Sequence, residues 1–125
     1  MNRLGYKACN MICSALQDKN KLEKLYLNNN DINSQAGDNI FYFISKVKNL
    51  KEFRISNNVL EDFAGLKLAE GILLNKNLKV CHVASNKLTV EVAQCFARVI
   101  AENPQLKDLD LSSNLFIMDE LQTLA

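Results

Sequence analysis

The sequence predicts an α/β protein built of stacked strand–helix units. Three observations carry this. A nine-residue phrase is written four times, as LEKLYLNNN, LKEFRISNN, LKVCHVASN and LKDLDLSSN, beginning at Leu22, Leu50, Leu78 and Leu106. The starts are 28 residues apart throughout, and a fixed period of this size marks repeated supersecondary units. Within each phrase apolar and polar residues alternate, and between phrases apolar residues recur every four.

The phrases are taken first. Their fourth and sixth places are Leu25 and Leu27, Phe53 and Ile55, Cys81 and Val83, Leu109 and Leu111. Apolar side chains two apart with polar neighbours fit short half-buried strands, expected near 24–28, 52–56, 80–84 and 108–112. The strands should pair in parallel and in sequence order.

The intervening segments read as helices near 5–19, 34–47, 61–75 and 89–102. Their matched apolar columns are Ala36, Ala64 and Val92; Ile40, Leu68 and Phe96; Ile44, Ile72 and Ile100. Spacings of four make one helical face. By the same register Ala8, Ile12 and Leu16 should face inward. Gly37, Gly65 and Ala93 form a small-residue column that allows close approach of neighbouring helices. Ser34 and Thr89 are expected caps, and Glu61 and Asp62 suit a first helical turn.

Each phrase closes on asparagine. The column is Asn2, Asn30, Asn58, Asn86 and Asn114. Asparagine is frequent, 16 of 125 residues, yet five matches in one column arise by chance only about once in a thousand such chains. A buried amide has two donor hydrogens and an acceptor oxygen. It can satisfy the turn after its own strand and a turn in the adjoining unit, so the column is expected to form a structural ladder.

The phrase LxxLxLxxN followed by a helix, at 28 residues per unit, resembles the ribonuclease-inhibitor class of leucine-rich repeats. NOD-like receptor arrays and the Ran GTPase-activating protein belong to that class. The resemblance implies a leucine-rich repeat solenoid, a horseshoe arc with a parallel sheet on its concave face and helices on its convex face. It also implies a binding protein. Cys81 departs from the family's leucine, and Val80 and Ala84 make the third strand less polar than its neighbours. The chain divides into a partial repeat at 1–21, repeats at 22–49, 50–77 and 78–105, and a partial repeat at 106–125. With no polar capping unit at either end, it reads as a segment of a longer array, open to self-association through its uncapped ends.

Composition bounds the function. The 15 basic and 14 acidic residues leave a net charge of +1, with no basic cluster for nucleic acid. No apolar run is long enough to span a membrane. The cysteines Cys9, Cys13, Cys81 and Cys95 form no CxxC pair and His82 is the sole histidine, so no metal or other cofactor is expected. Reduced, buried cysteines suit a cytoplasmic protein.

The strand places between the leucines should face outward. They include Lys24, Glu52 and Asp108, with Tyr26, Arg54, His82 and Asp110 as the middle stripe. This mixed aromatic and charged stripe is the expected partner-binding surface, with Arg54 stacking on Tyr26 and offering its donors to a carboxylate. The function expected is recognition of another protein. Two alternatives are a regulatory or sensor segment of a NOD-like-receptor-type protein and a host-targeting effector of an intracellular microbe. Catalysis is not expected: His82, Asp110 and Ser112 lie on ordinary strands with no nucleophile turn, and no phosphate-binding glycine motif is present.

Overall fold

The computed structural model describes residues 3–116. Four helices and four strands alternate: α1 (Gly5–Leu16), β1 (Lys24–Tyr26), α2 (Gly37–Lys46, entered through a 3₁₀ turn at Ser34–Ala36), β2 (Glu52–Arg54), α3 (Glu61–Leu74), β3 (Val80–His82), α4 (Val90–Glu102) and β4 (Asp108–Asp110). The strands pair in parallel in the order β1-β2-β3-β4. Their register repeats the 28-residue period, with Leu25 opposite Phe53, Phe53 opposite Cys81 and Cys81 opposite Leu109. Each strand is three residues long, shorter than the five expected.

This is a small two-layer α/β unit rather than a horseshoe arc. The spacing of the phrase sets strand, turn and helix lengths. It contains nothing that sets the curvature of a stack.

The core lies between the layers. Phe53 and Cys81 from the sheet meet Ile40, Phe43, Ile44, Leu68, Ile72 and Phe96 from the helices, all fully buried. The small-residue column works as expected. A Cβ at Gly37 would lie 2.9 Å from the Phe63 ring, and one at Gly65 would lie 2.7 Å from Leu88 Cδ2. Two end helices depart from the expected stripe. In α1 the fully buried residues are Cys9 and Cys13, while Ile12 and Leu16 of the expected stripe pack against the core only partly buried. In α4 Val99 is buried while Ile100 is 60 % exposed. An inner helix is covered on both flanks. Among the described residues an end helix is covered on one, and its buried stripe rotates toward that neighbour.

The asparagine ladder is present. Asn30, Asn58 and Asn86 are buried. Asn58 Oδ1 accepts from the Asn30 and Ile32 amides at 2.9 and 3.0 Å. Its Nδ2 donates to the Leu27 and Ile55 carbonyls at 3.0 and 2.9 Å. Asn86 and Asn114 repeat the arrangement one and two units on. Each rung therefore ties its own strand end to the preceding unit. Asn2 and the part of the 106–125 partial repeat that follows Phe116 lie outside the described residues.

A second buried amide pair was not legible in the sequence. Asn75 and Asn103 follow α3 and α4 and are fully buried. Asn75 Nδ2 donates to the Ile44 and Val47 carbonyls at 2.9 and 3.1 Å, and Asn103 Nδ2 donates to Ile72 at 2.7 Å. These amides satisfy carbonyls that the preceding helix leaves without partners at its C-terminus. Lys48 and Lys76 reinforce the effect, donating to the Leu74 and Glu102 carbonyls at 3.0 and 3.2 Å, where a cation favours the helix dipole.

The turns carry backbone in the left-handed region at Asn29, Asn57, Ser85 and Ser113, the residue before each ladder asparagine. Two residues further on, Asp31 and Lys87 also have positive φ, as does Arg3 in the same column of the repeat, but Val59 and Leu115 do not, and beyond Val59 it is Glu61 that takes it, at +59°. A β-branched side chain resists that region, so the turn moves on to Glu61. The caps differ accordingly. Asn33, not Ser34, accepts from the Gln35 amide at 2.9 Å. Thr89 makes no cap bond of its own. Its hydroxyl and amide donate instead to Asp62 in α3, at 2.5 and 2.8 Å.

Candidate functional site

The outward face of the sheet collects the residues that alternate away from the core. Parallel pairing sets Lys24, Glu52, Val80 and Asp108 in one row and Tyr26, Arg54, His82 and Asp110 in the next. The structure thus places all seven candidate site residues on one surface, but it groups them differently from the single stripe read in the sequence.

Over β1 and β2 the group is a clamp centred on Glu52. The Tyr26 hydroxyl donates to the Glu52 carboxylate. Lys24 Nζ stands 3.9 Å from Glu52 Oε1, and an Arg54 guanidinium nitrogen 3.6 Å from Oε2. The Arg54 guanidinium lies over the Tyr26 ring at 4.9 Å from the centroid, the expected stack. Arg54 Nε is buried without a hydrogen-bond partner among the described residues. The sequence pattern marks Glu52 only as a flanking residue, whereas in the structure it is the centre of the group. The signal lay in the parallel register, which sets Glu52 directly beside Lys24 and diagonal to Tyr26. The hydrogen bond from Tyr26, with the nearby cations, holds the Glu52 carboxyl below its ordinary range. The same hydrogen bond raises the Tyr26 hydroxyl above its ordinary value.

Over β3 and β4 the grouping is different. His82 Nε2 is 3.0 Å from Asp108 Oδ2, so the histidine pairs along the diagonal and not with Asp110. Asp110 instead accepts from the Ser112 amide at 2.9 Å and from its hydroxyl at 2.6 Å. Those two bonds lower the Asp110 pKa below its ordinary value. His82, Asp110 and Ser112 are therefore not joined in a relay, because serine and histidine bond to different aspartates. Among the described residues no group of His, Cys, Asp and Glu is arranged to hold a metal.

The four cysteines are free. Cys81 takes a leucine place in the core, and burial pushes its thiol up to about 12. Cys9 and Cys13 share a hydrogen bond one helical turn apart. That bond, with burial, pushes the Cys13 thiol far above its ordinary value. No helix among the described residues is long and apolar enough to cross a membrane.

Comparison with known proteins supplies a fold relationship. No family model matches the sequence. No curated protein matches it either. Among solved structures, the Caenorhabditis elegans tropomodulin C-terminal domain superposes with a TM-score of 0.74 at 19 % identity, covering 92 % of this chain and 72 % of that one. A structure described as leiomodin-1 actin-binding site 2 superposes with a TM-score of 0.73 at 16 % identity, covering 94 % of this chain and 69 % of that one. These superpositions establish a shared fold. They correct the expected placement among ribonuclease-inhibitor-like leucine-rich repeat solenoids, with NOD-like receptors and the Ran GTPase-activating protein. The physical reason is that LxxLxLxxN specifies a strand and its turn. That element does not identify the family or fix the assembly.

Proposed function

We propose that this chain is a non-catalytic protein-binding module of the cytoplasm that engages its partner through the outward face of its sheet. The observation that carries the reading is the Arg54 guanidinium held over the Tyr26 ring and backed by Glu52. Arginine and tyrosine are the residue types that dominate interface hot spots, and here both are preorganised on regular strands. Tyr26, Arg54, His82 and Asp110 form the centre of the site, flanked by Lys24, Glu52 and Asp108. Free thiols suit a reducing compartment.

Actin is the first partner to test, because one structure of this fold is described as an actin-binding site. The test is a titration of labelled monomeric actin, and sedimentation with filaments, against the wild-type chain and Arg54→Ala. The variant should bind about 1–3 kcal/mol more weakly. Actin binding that is unaffected by substituting all four central residues would overturn the assignment to this face. β1 also has no strand on its outer side among the described residues, and an open edge templates association. Light scattering should therefore show a mass that rises with concentration.

A further inference from the structure

The outward face is polar along the direction that crosses the strands. At the β1–β2 end it carries Lys24 and Arg54 against the single carboxylate of Glu52. At the β3–β4 end it carries Asp108 and Asp110 with only His82 between them. Val80 and Ala84 lie between the two ends and are partly exposed. The sequence of surfaces is thus basic with an aromatic ring, then apolar, then acidic. The outermost charges are the most available: the Lys24 and Asp108 side chains are 60 % and 57 % exposed.

The face is also small. Four strands spaced by about 4.8 Å, with two outward residues each, offer on the order of 200 Å². A stable interface between globular surfaces takes about 800 Å² from each partner. A width of about 20 Å matches about six residues of extended chain at ~3.3 Å each.

We infer that the occupant is a short extended segment of a partner protein, lying across the strands with an acidic end over Lys24 and Arg54, a small or apolar centre over Val80, and a basic end over Asp108 and Asp110. The inference rests on the proposed use of this face and adds the chemistry of what it takes. Arg54 is suited to the acidic end because, among the described residues, the 3.6 Å contact with Glu52 is its one carboxylate contact, and its side chain is 35 % exposed, so a guanidinium already held in place can take a second carboxylate by a charge-assisted bond. Charge matching at both ends fixes the direction of the segment. The mismatched direction sets like charges against each other.

The test uses two synthetic peptides of one composition and amide chemical-shift titration of the full chain at low ionic strength. The first has two glutamates, a Gly-Val-Gly centre and two lysines. The second has the same residues with the charges interleaved. The blocked peptide should bind at least about fivefold tighter, with shifts confined to β1–β4, and should lose that advantage in physiological salt. The double variant Lys24→Glu with Asp108→Lys removes the charge polarity at two exposed positions. It should bind the two peptides equally, while Lys79→Ala keeps the preference. Equal affinity of the two peptides for the wild-type chain, with shifts on the strand face, overturns the polarity while leaving the face as a binding surface. Shifts elsewhere, or none with either peptide, overturn both.

Discussion

Two surfaces of this molecule set a cation over aromatic rings, one on the sheet and one on the helices. On the sheet, Arg54 lies 4.9 Å from the Tyr26 ring and shares Glu52 with Lys24 and the Tyr26 hydroxyl. On the helices, Lys67 stands 5.8 Å from the Phe41 ring and 5.7 Å from Phe63. It is also 3.6 Å from Asp38 and 4.0 Å from Glu70. The difference is in what is left over. Lys67 has two carboxylates to itself, and its ammonium is neutralised. Arg54 shares one carboxylate with a second cation and a hydroxyl, so its charge is only partly neutralised. An exposed aromatic ring, such as Phe63 or Tyr42, is therefore a weaker sign of a binding site than an incompletely paired arginine beside one.

The two surfaces also stand on different asparagine supports, which gives the largest expected effects. Asn58→Ala removes the rung beneath the strand ends, and Asn75→Ala removes the amide that closes α2. Each strands several buried backbone groups and should cost about 2–3 kcal/mol in chemical denaturation. The two should differ in reach: only Asn58→Ala should move the resonances of Tyr26 and Arg54. Identical shift patterns would mean that the two supports are not separate.

Gly37→Ala probes the helix surface alone. The new methyl would meet the Phe63 ring at 2.9 Å and Ala64 Cα at 3.2 Å. Overpacking costs about 1–3 kcal/mol, against about 1 kcal/mol gained in helix propensity. The melting temperature should fall and the Phe63 ring shift while Tyr26 stays put. A rise in melting temperature would show that the helices have room to spare. A smaller change of opposite sign is expected at Asn57, whose φ is +59°. Asn57→Gly should stabilise by about 0.5 kcal/mol.

The smallest effect is the pH response of the strand clamp. Glu52 is depressed from 4.5 and Tyr26 raised from 10.0 by their shared hydrogen bond. The carboxylate's contribution is present above 4.5 and lost as pH falls through the depressed value. The phenol's is present below 10.0 and lost as pH rises through the raised value. Stability should therefore show no inflection from this pair between those limits. Absorbance titration against Tyr26→Phe should show Tyr26 ionising above 10.0, and ionisation at or below that value would mean that the bond does not persist in solution.

Much of the architecture was legible because the repeated phrase fixes it. Strand positions, parallel order, the glycine column and the Asn58 and Asn86 rungs all follow from one 28-residue register. The rest was hidden for physical reasons. Asn75 and Asn103 share their column with Val47, so in an asparagine-rich chain they look incidental. Cys9 and Cys13 are buried more deeply than the expected Ile12 and Leu16 of α1 because burial there depends on which flank has a neighbour. Val59 displaced a turn that the repeat would have kept. At the candidate site the sequence anticipated that these side chains share the outward face, and the Arg54–Tyr26 stack, but not the pairing of His82 with Asp108. The repeat also pointed to the wrong family, because a strand-and-turn phrase says nothing about how units are assembled.

The contrast between the two surfaces is tested most directly by paired binding titrations of Arg54→Ala and Lys67→Ala, with melting curves for both. With actin as the proposed partner, the account predicts that Arg54→Ala binds it about 1–3 kcal/mol more weakly with its melting temperature unchanged, and that Lys67→Ala leaves affinity where it was. Loss of affinity on changing Lys67 with no effect of Arg54 would move the binding surface to the helices and contradict the account.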